Sequence, residues 1–260
     1  MNFITTNHQG GICNVMFKLS AAISLALDKN VDYIFSTEFL RPISNECPKS
    51  GFDPDYSVYS DNLLRNISFI ETLPTPYRTH KEPKTFNYQY INYNKGENLL
   101  LEGYFQSEKY FKHIEESIRE DYEFKDEIYE TCNEFMNQFN GNIVLLHIRR
   151  GDNIGRPDWY PMPTIDHYEY LLEKHFNDNQ PVLICSDDLN WVKEQKLFQG
   201  DRFYISETRV YYQHQTLNGA GQMEKSLVPF YDLCLMSMCS DALIANNSLS
   251  WWGAWLQKNP

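Results

Sequence analysis

Two adjacent arginines, Arg149 and Arg150, follow the continuous apolar run Ile143 to Ile148 (IVLLHI) and precede Gly151 and Asp152. Guanidinium groups leaving a buried strand beside a glycine turn can grip a pyrophosphate bidentately. Charge-assisted bonds of this kind contribute about 1.5–3 kcal/mol each. Two further apolar runs end in polar clusters: VLIC runs into Ser186-Asp187-Asp188, and LIA into Asn246-Asn247-Ser248-Leu249-Ser250. In a parallel sheet the carboxyl ends of neighbouring strands lie side by side, so the three clusters would line one crevice, the candidate active site. The Ser248 and Ser250 hydroxyls and the backbone amides of the following helix start can add neutral donors to the same phosphates. His147 and Asp152 join Arg149 as the catalytic candidates, each open as base, sugar contact or scaffold; His147, within the strand, reads more as a structural or hydrogen-bond-donating residue than as a general base. Taken alone, each cluster has a plain explanation: an arginine pair decorates a solvated surface, and SDD or NSS caps the next helix. Coincidence at three strand ends is what favours function.

Other signals are weaker. Gly10-Gly11 lies between a short strand and an apolar helix and has the outline of a phosphate-binding loop, but it matches neither GxGxxG nor GxxxxGK[ST]. A tight turn needing positive φ accounts for these glycines equally well. Asn14, at the helix start, either caps it or contacts substrate. Asp53-Pro54-Asp55 has the Asp-x-Asp spacing of a divalent-metal site for nucleotide-sugar transfer, yet no apolar strand leads into it, which argues for a loop. Trp251, Trp252 and Trp255 can stack on sugar faces, but their spacing better suits a helix packed into the core.

The elements that must position these groups alternate in α/β fashion. Asn2 to Thr6 reads as a strand, and Asn14 to Lys29 as a helix apolar around nearly its whole circumference, hence buried. Val31 to Ser36 is the next strand. Arg41 to Asn98 interleaves Pro, Asn, Tyr and charge without a steady period and reads as loop-rich with a few short elements. Leu99 to Phe105 is a strand; a helix from Ser107 carries Tyr110, Phe111, Ile114 and Ile118 on one face, and another runs from Asp126 to Phe139. The pattern resets at Gly141-Asn142, predicting an N-terminal α/β domain over 1–140 and a C-terminal one over 141–260. In the latter, strands at Ile143 to Ile148, Pro181 to Cys185 and Ala242 to Ala245 alternate with helices capped at Thr164 or spanning Leu189 to Phe198, Lys225 to Cys239 and Ser250 to Leu256. The IVLLHI run is of the kind buried on both faces in a parallel sheet.

With 23 Lys and Arg against 35 Asp and Glu the net charge is −12, so an anionic ligand must be held by a local basic site. That balance argues against a general nucleic-acid or anionic-membrane binder. No run approaches the roughly 18 apolar residues of a membrane span, and the N-terminus has no basic region before an apolar one, so a cytoplasmic location is expected. The cysteines form no CxxC pair and no Cys/His cluster, which reads as reduced core thiols.

Taken in order, these blocks resemble the α-1,2-fucosyltransferase family. Gly10 to Phe17 (GGICNVMF) is similar to its GG-x-GNQMF opening, Glu102 to Phe111 contains its central GYFQSEKYF, and His147 to Asp152 matches its H-x-R-R-x-D motif. Ser186-Asp187-Asp188 with Trp191-Val192, and Ile244 to Trp255, fit its later blocks. The resemblance implies two Rossmann-like domains facing a cleft (GT-B type), the N-terminal one on the acceptor side and the C-terminal one binding the nucleotide sugar. It also implies GDP-fucose as donor, no metal or other cofactor, and inversion on transfer to O2 of a terminal galactose of an oligosaccharide. Carried over, Arg149 and Arg150 bind the GDP phosphates, Ser248 and Ser250 flank them, and Asp187 helps hold nucleotide or sugar. Ser186 and Asn246 complete the substrate-binding set, Asn14 faces the donor, and Asp152 is the candidate base. Cys13, Val15 and Asn247 depart from the pattern, and the C-terminal domain is expected to lack the family's closing helix. A catalytically silent GDP- or glycan-binding module, or a transferase using another GDP-sugar, stands as the alternative.

Overall fold

The computed structural model of the chain describes residues 2–8, 10–40, 57–140, 142–206 and 228–258. They fall into two compact units, Met1–Glu123 and Phe124–Pro260. Asp53-Pro54-Asp55 lies outside the described residues.

In the first unit, β1 (Phe3–Thr6) leads into α1 (Ile12–Lys29) and β2 (Asp32–Tyr33). Every residue of β1 is buried, and so are α1 positions on all sides, Lys18 included, as the all-round apolar pattern predicts. Asn30 ends α1 in the left-handed conformation, φ 53°, its N–H donating to the carbonyls of Ala26 and Leu27. Later come β5 (Arg78–Lys81) and β6 (Leu99–Glu102), and the four strands form a parallel sheet in the order β2-β1-β6-β5. Because the chain places β2 on one side of β1 and β6 on the other, the carboxyl ends of β1 and β6 flank a switch point, where such sheets bind ligands.

Two sequence expectations change here. The run Val31 to Ser36 is not one strand: Asp32–Tyr33 pairs with β1, while β3 (Phe35–Ser36) pairs with β4 (Phe69–Ile70) in a separate two-stranded sheet. The helix expected from Ser107 is two 3₁₀ turns, Glu108–Tyr110 and Lys112–Ile114, before α3 (Glu115–Asp121), because Phe111 between them adopts φ −141°, ψ 4°. A further single helical turn, α2, spans Ser57–Ser60.

The second unit opens on α4 (Asp126–Met136) and continues with β7 (Val144–Ile148), α5 (Ile165–His175), β8 (Val182–Ser186), α6 (Leu189–Glu194), β9 (Phe203–Ile205), α7 (Val228–Ser237), β10 (Asp241–Leu243) and α8 (Ser248–Trp255). Its parallel sheet has the order β10-β7-β8-β9, so a second switch point lies between β7 and β10. All of β7 and β8 is buried, as continuous apolar runs require. Thr164 caps α5 by accepting the His167 N–H.

The boundary between units precedes α4 rather than falling at residue 141. Ile128, Cys132 and Met136 bury the inner face of α4, which packs on α7, and the Cys132 thiol donates to the Tyr231 carbonyl at 3.7 Å. The composition reset at Gly141-Asn142 therefore marks a turn inside the second unit. The described cysteines are buried thiols, none in a disulfide. Among the described residues no helix is long and apolar enough to cross a membrane.

Candidate active site

The three polar clusters read from the sequence converge at the carboxyl edge of the second sheet, because β10, β7 and β8 are neighbours there. Asp187, directly after β8, is the hub. Its Oδ2 pairs with Arg149 Nη1 at 2.7 Å, and its Oδ1 accepts the Arg150 backbone N–H at 2.8 Å. The Asp187 side chain is 8% exposed and that of Arg149 35%. A nearly buried carboxylate thus fixes one edge of the guanidinium of a side chain that is about one-third exposed. Arginine carries five donors in a rigid fork, so a ligand can be bound while Asp187 stays engaged.

Arg150 has a different setting. Its Nε donates to Asp188 Oδ2 at 3.0 Å, and its guanidinium stacks 4.1 Å from the centre of the Trp191 ring. Asp188 also caps α6 by accepting the Trp191 N–H at 3.1 Å, and its own N–H donates to Ser186 Oγ at 3.0 Å. Arg150 is therefore tied to the start of α6, with Tyr168 near enough to feel its charge: burial pushes the Tyr168 hydroxyl up to about 12, and Arg150 opposes that rise.

Beyond β10, Asn247 caps α8, its Oδ1 accepting the Ser250 N–H at 2.9 Å. Its Nδ2 lies 3.4 Å from His147 Nδ1, joining the cap to buried His147 on β7. Ser250 is wholly buried, and its hydroxyl donates to the Ala245 carbonyl at 2.8 Å, so it braces the turn. Asn246 is exposed and Ser248 half-buried at the opening of the helix. Asp152 is the second residue of the 3₁₀ turn Gly151–Gly155 that follows Arg150. Asn14 lies in the first unit, on the first turn of α1, where its Oδ1 accepts from Gln106 Nε2 at 2.8 Å.

Asp188, Trp191 and Asn247 matter to this constellation beyond the candidates read from sequence. The helix-start pattern Ser-Asp-Asp before Trp191 was the available signal for the first two, since a capping aspartate can also accept from an arginine. Gly151 has a packing reason: a methyl group there would overlap the Asp187 carboxylate, which cannot yield without releasing Arg149. Gly151→Ala should lower kcat/KM about tenfold by displacing that carboxylate. Steady-state kinetics beside a thermal melt checks this; an unchanged kcat/KM would remove the Asp187 brace from the catalytic account.

A family model for glycosyl transferase family 11 matches residues 2–260. Among characterised proteins, the chain is 25% identical to an O-antigen biosynthesis glycosyltransferase, WbnK, of Escherichia coli, over 95% of this chain and 88% of that one. It is also 25% identical to an alpha-1,2-colitosyltransferase of Escherichia coli, over 99% of this chain and 88% of that one. Its fold is similar to the crystal structure of NodZ alpha-1,6-fucosyltransferase co-crystallised with GDP, with a TM-score of 0.58 at 12% identity, covering 99% of this chain and 93% of that chain. Fucosyltransferase NodZ from Bradyrhizobium gives 0.57 at 11% identity, covering 99% and 94%. With its ordered motifs, its parallel α/β architecture and a family match along its length, the chain belongs to glycosyl transferase family 11.

Proposed function

We propose that this glycosyltransferase moves L-fucose from GDP-fucose to a hydroxyl of an oligosaccharide, O2 of a terminal galactose, with inversion and without a metal ion. The observation that carries the reading is Arg149: a partly exposed guanidinium at a switch point, braced from below by a nearly buried Asp187. Departure of GDP breaks the bond between the anomeric carbon and the phosphate oxygen, and negative charge grows on the diphosphate as the sugar gains oxocarbenium character. A fixed cation aimed at that charge stabilises the transition state more than the ground state. Arginine supplies it locally in a chain whose net charge is −12. In this reading Asn246, Ser248 and the amides at the start of α8 add neutral donors at the same strand edge.

In this reading Arg150 is the second phosphate-side guanidinium, its orientation set by Asp188 and Trp191, while Ser186 and Ser250 hold the turns that carry the site. Asn14 contacts the donor from the first unit, and Asp152 takes the proton from the acceptor hydroxyl. A GT-B type arrangement and a cytoplasmic location go with the same proposal. The likeness to an alpha-1,2-colitosyltransferase supports a second reading, the same chemistry with a colitosyl donor.

Calorimetry without added metal should show GDP binding at least about tenfold tighter than UDP, a difference of about 1.4 kcal/mol. Tighter UDP binding, or binding that needs manganese, would refute the donor class. A GDP-release assay over galactosides, with NMR of the product linkage, then separates transfer from a silent binding module.

A further inference from the structure

At the carboxyl edge of the first sheet, in the unit that holds none of the residues assigned above except Asn14, several uncommon features coincide. Glu82 directly follows β5, and its N–H donates to the Glu102 carbonyl at 2.8 Å, extending the β5–β6 pairing. Its Oε2 accepts two backbone N–H groups, from Tyr104 at 2.7 Å and Phe105 at 3.1 Å. Its Oε1 is buried and has no hydrogen-bond partner. Buried polar atoms without partners are rare, and a carboxylate oxygen can be satisfied only by a donor.

The turn that grips Glu82 is itself held in a costly shape. Phe105, wholly buried, has φ 50°, a left-handed conformation that bulky residues seldom adopt. At Gly103 a side chain would overlap the Glu82 Cβ. Strained backbone that its surroundings fix in place concentrates at functional sites. Beside the turn, Lys18 is 6% exposed and its ammonium lies 5.1 Å from the centre of the Tyr104 ring. Burial pushes this amine down to about 8, and the Glu82 charge opposes the shift. Tyr104 is 46% exposed, and the Asn14–Gln106 amide pair stands at the same switch point.

We infer that Glu82 and Tyr104 form the acceptor subsite of the first unit, with Glu82 Oε1 accepting a hydrogen bond from a sugar hydroxyl and the Tyr104 ring covering an apolar sugar face. The inference rests on the transferase reading above. The chemistry selects the acceptor over the donor. A carboxylate repels a diphosphate but accepts from a hydroxyl, and the Lys18 ammonium nearby balances its charge, which suits a neutral, hydroxyl-rich ligand. Amides and an exposed aromatic ring are the remaining groups such a ligand uses.

Glu82→Gln keeps the size of the side chain and can keep the two backbone bonds, but it can present an amide where the free acceptor stood. It should lower kcat/KM for the acceptor about 10- to 100-fold while the KM for GDP-fucose and the melting temperature stay unchanged. Tyr104→Ala should raise the acceptor KM several-fold with kcat little altered. In saturation-transfer NMR without donor, a panel of galactosides, glucosides and N-acetylhexosaminides should include a sugar that contacts the unaltered protein and loses contact in Glu82→Gln. Unchanged acceptor kinetics in both variants, or donor and acceptor KM rising together with a lowered melting temperature, would overturn the subsite and reduce Glu82 to a structural brace. If no sugar of the panel supports GDP release by the unaltered protein, the transferase reading fails by itself, and the NMR still decides the subsite. Sugar contact that depends on Glu82 then sustains it, and no contact with any sugar ends it.

Discussion

Arg149→Ala should lower kcat with GDP-fucose by about 10²–10³, the loss seen when one preorganised charge-stabilising donor is removed from a transition state. The size of the effect follows from how the side chain is held. Asp187 is nearly buried and pairs with Nη1, so the guanidinium is ordered before substrate arrives and spends little free energy on reorganisation as charge develops. Removal also leaves the nearly buried Asp187 carboxylate without its cation, so a lowered melting temperature is expected alongside the loss of turnover. Pre-steady-state measurement of GDP release, read beside a thermal melt, is the check. A variant whose folded fraction turns over at near wild-type rate would exclude Arg149 from leaving-group stabilisation, and the proposed chemistry with it.

The second large effect is on stability. Trp252 is fully buried on α8, with the rings of Trp251 and Trp255 each 5.1 Å away edge-on. The next residue, Gly253, sits where a Cβ would lie 2.6 Å from the Met236 Cβ, so α8 approaches α7 too closely for any side chain at that crossing. Trp252→Ala leaves a large cavity in a contact that cannot close further, and should cost about 3–5 kcal/mol. Equilibrium denaturation of the whole chain measures it; a loss below about 1 kcal/mol would mean that the α7–α8 contact relaxes into the space. Because α8 begins at the Asn247 cap beside the site, a loosened helix should also weaken GDP binding.

The tryptophans show where sequence reasoning succeeds. Spacing alone favours core packing over sugar stacking, and Trp252 is in the core. In the same way the caps at Thr164 and Asp188, the buried strands β7 and β8 and the three polar strand ends were legible, because each depends on residues within a few positions of one another. The first unit was harder. Its edge strand β5 is Arg-Thr-His-Lys with alternating burial, and no apolar run announces it; it forms because Leu99–Glu102, some distance along the chain, offers a parallel partner. Glu82 inherits its position from that pairing, so nothing in the local sequence distinguishes it from the other charged residues nearby.

What the sequence determined by itself is the α/β alternation, the family and the kinds of group at each strand end, since periodicity and short motifs are local properties. Tertiary structure decided what each group does. Strand order set the two switch points and brought Asp187 against Arg149 and Arg150, whose amino-acid types are identical but whose partners are not. One guanidinium is braced with part of its surface exposed, and the other is stacked on Trp191 and bound to Asp188. Ser250 likewise turns inward to the Ala245 carbonyl. The physical reason is that a side chain's chemistry is fixed by its type, whereas its availability depends on partners that only long-range packing brings near.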